Sequence, residues 1–162
     1  MATKTEKSKK VIDMLDTHKT TMFVTRNKEG NLVSRPMTTQ KPEFDGTVWF
    51  FVSSDADVID EVKANSDVNI AYSLEGNYLS LSGTASMVDD DKKKKELWYP
   101  ELKHWFDGAG PESPKVKLIK VDISTARYWD MAQEKDQKKS KSGDSKTKKE
   151  DESPIDSAIV KY

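Results

Sequence analysis

The alternation of apolar and polar positions early in the chain predicts a β-hairpin. Residues 22–25 have the pattern of a strand, residues 27–31 that of a turn, and residues 32–38 that of the returning strand. Gly30 can adopt the positive φ that such a turn favours. Pro36 has no N–H to donate to a neighbouring strand, so it indicates a sheet edge, a bulge or a strand end.

Further β segments and short helices follow this hairpin. Residues 47–52 are apolar on both faces, which is typical of a central strand or of an interface. Residues 78–85 alternate cleanly and contain Gly83, which indicates a bulge. The other expected strands are residues 68–72 and 116–122, and the expected helices are residues 4–18, residues 54–65 with a capping box from Ser54 to Asp57 and a buried stripe of Val58, Ile59 and Val62, and residues 89–98.

The order of these elements predicts the fold class. Consecutive strands mostly lack the crossover of about a dozen residues that parallel pairing requires, so the sheet should be largely antiparallel. Several short strands in a domain of this size favour a small barrel. We therefore expect a mainly β fold of the α+β type, with six or seven antiparallel strands and flanking short helices.

Composition divides the 162 residues into three parts. Residues 1–131 have the composition of one soluble domain with its own core. Residues 132–152 are rich in Lys, Asp, Glu, Ser and Gln, which predicts a disordered low-complexity segment. Residues 153–162 form a short, apolar-tipped end that is expected either to dock or to fray.

The charge balance and the absence of cysteine exclude several classes of function. The net charge is -1, with 27 basic and 28 acidic residues, so no global attraction to nucleic acid or to an anionic membrane is expected. The absence of cysteine excludes disulfides, thiolate catalysis and cysteine-ligated metals. No apolar run approaches the roughly 20 residues of a membrane span. The first residues lack the apolar core of a signal peptide, so a cytoplasmic location is expected.

Few residues indicate catalytic or metal chemistry. His18 and His104 are the only histidines, and neither has a partner at a convincing ligand spacing, so we expect no metal site. Residues 89–91 are three aspartates that suit the first turn of a helix, and residues 92–95 are four lysines expected on a solvated face. The chain has no Gly-x-Ser-x-Gly elbow and no glycine-rich phosphate loop.

Two features leave alternatives open. Trp98, Trp105 and Trp129 favour core or dimer contacts, but they could instead line a planar cofactor pocket between subunits. Arg35 is a cation on a patterned strand, directly before Pro36. It is either one half of a surface ion pair or the centre of an anion site.

An ordered set of short segments carries a family resemblance. The segments are residues 30–37 (GNLVSRPM), 49–51 (WFF), 68 (V), 78–85 (YLSLSGTA), 96–98 (ELW), 105–106 (WF) and 128–129 (YW). In this order they resemble the general stress protein branch of the pyridoxamine 5'-phosphate oxidase-like, FMN-binding split-barrel family. The resemblance covers roughly residues 5–131.

The resemblance implies a homodimeric split β-barrel with two FMN sites at the dimer interface, each lined by both chains. It places Arg35 at the FMN phosphate, residues around Met37 and Thr38 along the flavin ring, and further contacts on the strand of residues 50–52. The cofactor-binding residues that it implies are Arg35, Met37, Thr38, Phe50, Phe51, Val52, Ser53 and Trp105.

The sequence departs from the family pattern at the expected phosphate site. The family usually has Thr where this chain has Val52, and Lys or Arg-Lys where this chain has Asp57 and Val58. A helix N-terminus favours an anion, but Asp57 could occupy its N–H groups and would repel a phosphate. Losing two or three charge-assisted hydrogen bonds, at about 1.5–3 kcal/mol each, would weaken binding by several orders of magnitude.

Three functions are consistent with these residues. The first is a flavin-binding protein with weakened or altered phosphate recognition, which acts as an FMN-dependent oxidoreductase if it turns over. The second is a degenerate, non-catalytic dimeric barrel that binds little or no FMN. The third is a pocket for another planar ligand, such as another flavin or a deazaflavin. No side chain is identified as a catalytic acid or base, so any reaction would be hydride or electron transfer at the flavin.

Overall fold

A computed structural model describes residues 3–15, 19–40, 46–131 and 156–162, and its main element is one sheet of seven strands. All the strand pairings are antiparallel. The order is β2-β1-β4-β5-β6-β3, with β7 also paired to β6, and β2 and β3 do not pair to close the sheet. The elements are α1 (Lys4–Leu15), β1 (Thr20–Arg26), β2 (Leu32–Thr38), β3 (Thr47–Ser53), α2 (Asp57–Ala64), β4 (Asp67–Leu74), β5 (Asn77–Val88), α3 (Asp91–Leu97), a 3-10 helix η1 (Pro100–Trp105), β6 (Val116–Asp130) and β7 (Asp156–Lys161).

This architecture confirms the expected mainly β, antiparallel fold with short flanking helices. It arises from the alternation along strands such as β1, β4 and β5, in which one face buries apolar side chains while the other is more polar or exposed. Strand β3 is instead buried on both faces for most of its length, as expected. None of the helices among the described residues is long and apolar enough to cross a membrane.

The β1–β2 hairpin forms as predicted. Gly30 has φ +82°, and the side chain of Asn27 accepts hydrogen bonds from the N–H groups of Glu29 and Asn31 at 3.1 and 2.9 Å. Pro36 lies on β2, opposite Met22 of β1, and β2 pairs with β1 alone. The missing N–H of Pro36 is therefore tolerated because β2 is an edge strand.

The predicted bulge in β5 is present at Gly83. The register between β5 and β6 shifts between Ser82 and Gly83. A Cβ at Gly83 would lie 2.2 Å from the carbonyl oxygen of Asp122, so the close approach of the two backbones requires glycine. The bulge bends the long β5 strand across the core.

The main core lies between one face of the sheet and helices α1 and α2. The rings of Phe23 and Phe50 meet edge to face at its centre, with centroids 5.1 Å apart. Helix α2 contributes the predicted buried stripe of Val58, Ile59 and Val62. A second, smaller cluster of buried residues lies beside η1 and consists of Leu102, Phe106 and Val116, with Phe51, Trp98, Tyr99 and Ala109 packed against it.

Two predictions about helices are wrong in detail. Helix α2 begins at Asp57, its N-cap is Ala56 with no side-chain cap, and the expected capping box from Ser54 is absent. The reason is that the N–H of Ser54 donates to the carbonyl of Lys115, and the N–H of Ala56 donates to the carbonyl of Ser53, which closes a turn before the helix starts.

Two of the four lysines of α3, Lys93 and Lys94, also differ from the expected solvated face, while Lys92 and Lys95 are exposed as expected. Lys94 is 3% exposed, and the ammonium of Lys93 lies 4.9 Å from the centre of the Trp49 ring. The long apolar stem of a lysine can pack on the protein surface, and the ammonium of Lys94 lies 3.8 Å from a carboxylate oxygen of Asp91. The aspartates do begin the helix as predicted, because Asp90 is the N-cap and its carboxylate accepts a hydrogen bond from the N–H of Lys93.

The C-terminal segment docks rather than frays. Strand β7 pairs with residues 125–130 of β6, next to the part of β6 that β3 covers. Val160 is buried, and the ring of Tyr162 lies against Gly46. The predicted disordered segment at 132–152 and the expected last turn of α1 at residues 16–18 lie outside the described residues.

Candidate functional site

One pocket of about 510 Å³ lies between strand β2, the end of β3, the start of α2, and η1. Most of its lining is apolar or aromatic, with a few polar groups, as is typical of small-molecule sites. The lining residues are Thr20, Arg35, Pro36, Met37, Thr38, Gln40, Phe51, Val52, Ser53, Ala56, Val58, Tyr99, Leu102, Trp105 and Phe106.

The pocket contains all but one of the cofactor-binding residues that the sequence implies. Arg35, Met37, Thr38, Phe51, Val52, Ser53 and Trp105 line it together, although they come from three separate parts of the chain. Phe50 does not line it. Phe50 is fully buried in the main core against Phe23, because neighbouring residues of β3 point to opposite faces. Whether these residues bind a cofactor stays a prediction.

The aromatic wall of the pocket rests on the smaller cluster. The ring of Trp98 packs edge to face on Phe51, with centroids 5.6 Å apart, and lies 6.0 Å from the ring of Phe106. Trp98 thus supports the wall from behind rather than facing the pocket. Trp105 is different, because it lines the pocket and is 80% exposed. A large apolar side chain with this exposure is suited to cover by a ligand or by another chain.

Arg35 is ion-paired within its own chain. Its Nη2 donates hydrogen bonds to Oε2 of Glu61 at 2.7 Å and to Oγ1 of Thr25 at 2.8 Å. Its Nη1 donates to the carbonyl oxygen of Phe23 at 3.4 Å. The side chain of Arg35 is 25% exposed and that of Glu61 is 14% exposed, so water screens this pair only in part.

Thr25 forms hydrogen bonds to both members of the Arg35–Glu61 ion pair. Its hydroxyl donates a hydrogen bond to the same Oε2 of Glu61 and accepts one from Arg35. Arg35 lies directly opposite Phe23 in the hairpin, so Thr25 is its diagonal neighbour on the same face. We refer to Arg35, Thr25 and Glu61 as the Arg35 triad.

Sequence reasoning missed Thr25 and Glu61, although one signal was available. Glu61 follows Val58 by three residues on α2, so both side chains project from the same side of the helix toward the sheet. An acid on the buried side of a helix that packs against a strand carrying a single Arg is a candidate partner for that Arg.

The expected phosphate end of the pocket offers few donors. Val52 and Val58 line it with apolar side chains and are 7% and 2% exposed. The hydroxyl of Ser53 donates to the carboxylate of Asp55 at 2.6 Å. Asp57 does not cap the helix as expected, because it is the first helical residue, and its side chain is exposed. It still places a negative charge in the first turn of α2.

Gln40 is a polar pocket residue that the sequence did not single out. It is 1% exposed, and its Nε2 donates to the carbonyl oxygen of Thr38 at 3.3 Å. Its Oε1 is buried and has no hydrogen-bond partner among the described residues. Leaving such an atom unpaired costs about 1–3 kcal/mol, so this amide is a candidate hydrogen-bonding group for the edge of a ligand.

The described residues contain no cluster of three or more His, Asp or Glu side chains that could hold a metal ion. His104 lies in η1, and His18 lies outside the described residues. The chemistry available at the pocket is therefore that of a guanidinium, the side-chain amide of one glutamine, hydroxyls and aromatic faces.

The sequence matches a known family over most of its length. The family model described as "Pyridoxamine 5'-phosphate oxidase like" matches residues 6–152. A curated relative, the protein bli-3 of Neurospora crassa, is 35% identical over 125 residues, which are 70% of this chain and 60% of that protein. The chain thus matches about 60% of the length of this curated relative.

Solved structures show the same fold. General stress protein 26 of Bacillus anthracis is 24% identical, with a TM-score of 0.66 over 75% of this chain and 92% of that one. A general stress family protein of Xanthomonas campestris is 27% identical, with a TM-score of 0.68 over 91% and 95% of the two chains. The general stress FMN/FAD binding protein of Xanthomonas citri is 26% identical, with a TM-score of 0.63 over 75% and 89%. This chain belongs to the pyridoxamine 5'-phosphate oxidase-like family, and its fold is that of the general stress protein 26 structures.

Proposed function

We propose that this protein binds a flavin in the pocket between β2, β3, α2 and η1, with FMN as the flavin that the family implies. The observation that carries the proposal is the convergence of Arg35, Met37, Phe51 and Trp105 on one pocket of about 510 Å³. A similar solved structure is described as an FMN/FAD binding protein, which supports the same ligand class.

The ring-binding part of the pocket fits a planar aromatic ligand. Met37, Phe51 and Trp105 supply apolar and aromatic surface, and Gln40 supplies a buried amide with an unpaired oxygen. Aromatic side chains stack on planar rings, and one correctly placed amide can fix the orientation of a ring edge. These residues would hold the flavin ring and exclude water from one of its faces.

The phosphate-binding part fits less well. Arg35 is the cation that lines the pocket among the described residues, and it is already bonded to Glu61 and Thr25. Val52 and Val58 offer no hydrogen bond. We therefore expect binding that depends mainly on the ring, with the remaining N–H groups of Arg35 as the available phosphate contact, because the hydroxyl of Ser53 already donates to Asp55.

Any reaction is proposed to be an oxidation or reduction in which the bound flavin supplies hydride or electron transfer. The chain's own residues would bind and orient the flavin. Among the described residues that line the pocket, the titratable side chains are Arg35 and Tyr99, and no carboxylate, lysine or histidine is present. The site therefore provides position rather than a strong acid or base.

We also propose that the protein is a homodimer and that the second copy covers an exposed face of the sheet. The strand register places Met22, Tyr78, Trp129 and Ile159 on one face, which we call the outer sheet face. Met22, Tyr78 and Ile159 are 41%, 41% and 53% exposed. Exposed apolar side chains such as these favour burial in a protein interface, and the polar side chains of Ser80 and Arg127 lie between them on the same face.

A second candidate function is a barrel that keeps the fold but binds little or no FMN. The observation that favours it is the loss of phosphate donors at Val52 and Val58, together with the ion-paired state of Arg35. A third is a site for another planar ligand, such as another flavin or a deazaflavin. The visible absorption spectrum of the protein purified without added cofactor, followed by titration with FMN, separates the proposed function from the second candidate.

A further inference from the structure

The Arg35 triad uses the part of the guanidinium that would otherwise attract an anion. Both N–H bonds of Nη2 are taken by Glu61 and Thr25, and Nη1 donates once to the carbonyl of Phe23. Within the described residues, this leaves Nε and one N–H of Nη1 for a ligand. A phosphate at Arg35 would therefore bind beside a carboxylate that lies 2.7 Å from the same guanidinium.

The formal charges around this end of the pocket do not sum to a positive value. Arg35 contributes one positive charge and Glu61 one negative charge, while Asp57 adds a further negative charge in the first turn of α2. The apolar side chains of Val52 and Val58 add no charge. A phosphate monoester carries about -1.5 to -2 charges at pH 7, so it gains no net attraction from these groups.

At the ring end of the pocket, no charged side chain among the described residues affects the binding of a ligand. Phe51, Trp105 and Phe106 are uncharged, and their contact with a planar ring does not depend on whether the ligand carries a phosphate. The pocket is thus expected to gain most of its binding free energy from the ring of a ligand and little from its phosphate.

We infer that Glu61 is a specificity-determining residue that keeps Arg35 in a neutral pair, so that the pocket binds riboflavin about as tightly as FMN. This inference rests on the proposed flavin-binding function. Glu61 acts through Arg35 and need not touch the ligand, so it is a positioning residue. Its removal should increase the affinity for the phosphate-bearing flavin without changing the affinity for the flavin that lacks a phosphate.

The test is a fluorescence titration of riboflavin and of FMN with the full chain and with two variants. Glu61→Gln removes the charge and keeps a side chain of the same shape. Asp60→Asn is the matched control, because it removes the same charge from the neighbouring residue of α2, which is exposed and is not bonded to Arg35. Thermal melting of each protein reports whether it is folded.

In the unaltered protein, the two dissociation constants are expected to agree within about threefold, since the phosphate adds little. In Glu61→Gln, FMN affinity is expected to rise at least about tenfold, with riboflavin affinity unchanged within about twofold, because a charge-assisted bond to Arg35 becomes available. Asp60→Asn is expected to change neither ligand by more than about twofold, because exposed charges are screened.

FMN binding that is about thirtyfold or more tighter than riboflavin binding in the unaltered protein would overturn the inference, and this comparison needs no variant to fold. Equal changes for both flavins in Glu61→Gln, or an equal gain in Asp60→Asn, would also overturn it. If no protein binds either flavin, the proposed function fails and the inference fails with it. If both flavins bind but Glu61→Gln leaves their ratio unaltered, only the inference fails.

Discussion

The Nη2 atom of Arg35 lies 2.7 Å from Oε2 of Glu61, so the guanidinium expected to bind a phosphate is paired with an acid of its own chain. This pairing joins the edge hairpin to helix α2 and fixes the side chain of Arg35 at the pocket wall. It also means that the number of cations near the pocket is a poor guide to its attraction for anions. The net charge of the Arg35 triad is the relevant quantity.

Rebuilding the phosphate site should increase FMN affinity. The double change Asp57→Ser and Val58→Lys removes a negative charge and adds a cation at a residue that lines the pocket. FMN affinity is expected to rise at least about tenfold, because one charge-assisted bond contributes about 1.5–3 kcal/mol. Calorimetric titration with FMN measures this.

The single change Asp57→Ser is the control for this double variant, and it should give the smaller gain of the two. Val58 is 2% exposed, so the lysine is also expected to lower the free energy of unfolding by ~1–3 kcal/mol. An unchanged FMN affinity in a folded double variant would show that the phosphate is held at another place.

Neighbouring phenylalanines of β3 should have separable effects. Phe50→Ala is expected to lower the free energy of unfolding by ~3–5 kcal/mol, because Phe50 is fully buried against Phe23. Phe51→Ala is expected to weaken flavin binding and to destabilise less, because Phe51 is only partly buried and lines the pocket. Urea denaturation and flavin titration of both variants measure the difference. If Phe50→Ala and Phe51→Ala lost equal stability and equal flavin affinity, the assignment of Phe50 to the core and of Phe51 to the pocket would be wrong.

Gly83 should not tolerate a side chain. A Cβ there would lie 2.2 Å from the carbonyl oxygen of Asp122, so Gly83→Ala must displace the β5 or β6 backbone. The expected loss in the free energy of unfolding is ~2 kcal/mol or more. Gly110→Ala is the control, because nothing lies within 4 Å of its Cβ position, and it should change stability by no more than ~0.5 kcal/mol. Similar melting temperatures for the two variants would exclude the close approach at Gly83.

The outer sheet face should determine the oligomeric state. Ile159→Asp places a charge on this face and is expected to shift the protein from dimer to monomer, since an unpaired charge in an interface is strongly unfavourable. Leu74→Asp is a control at an exposed apolar residue on the opposite side of the sheet. Light scattering gives the molar mass. A monomeric parent protein, or a dimer that persists in Ile159→Asp, would contradict the proposed interface.

The sequence was sufficient for the parts of the fold that depend on local patterns. The period-two alternation of β5, the turn at Gly30 and the bulge at Gly83 were all predicted from neighbouring residues, and the structure confirms them. The start of α2 was predicted incorrectly, because the N–H of Ser54 bonds to Lys115, which is distant in sequence. Docking of β7 likewise depends on the free edge of β6, which no local pattern reveals.

The same distinction holds for the candidate site. The family resemblance identified Arg35, Met37 and Phe51, which the structure brings to one pocket. It could not supply the ion pair of Arg35 with Glu61, since that contact joins a hairpin and a helix through side-chain geometry. It also placed Phe50 beside Phe51, although alternation along β3 sends the two rings to opposite faces.

The most direct test of the central claim is a titration of FMN with the protein, followed through flavin fluorescence and through tryptophan fluorescence, to which Trp105 contributes from the pocket wall, where it is 80% exposed. The predicted result is a saturable change in both signals, with about one flavin per chain, and loss of most of the affinity in Trp105→Ala without loss of thermal stability. No saturable change in either signal with FMN or with riboflavin at millimolar concentration would contradict flavin binding at this pocket.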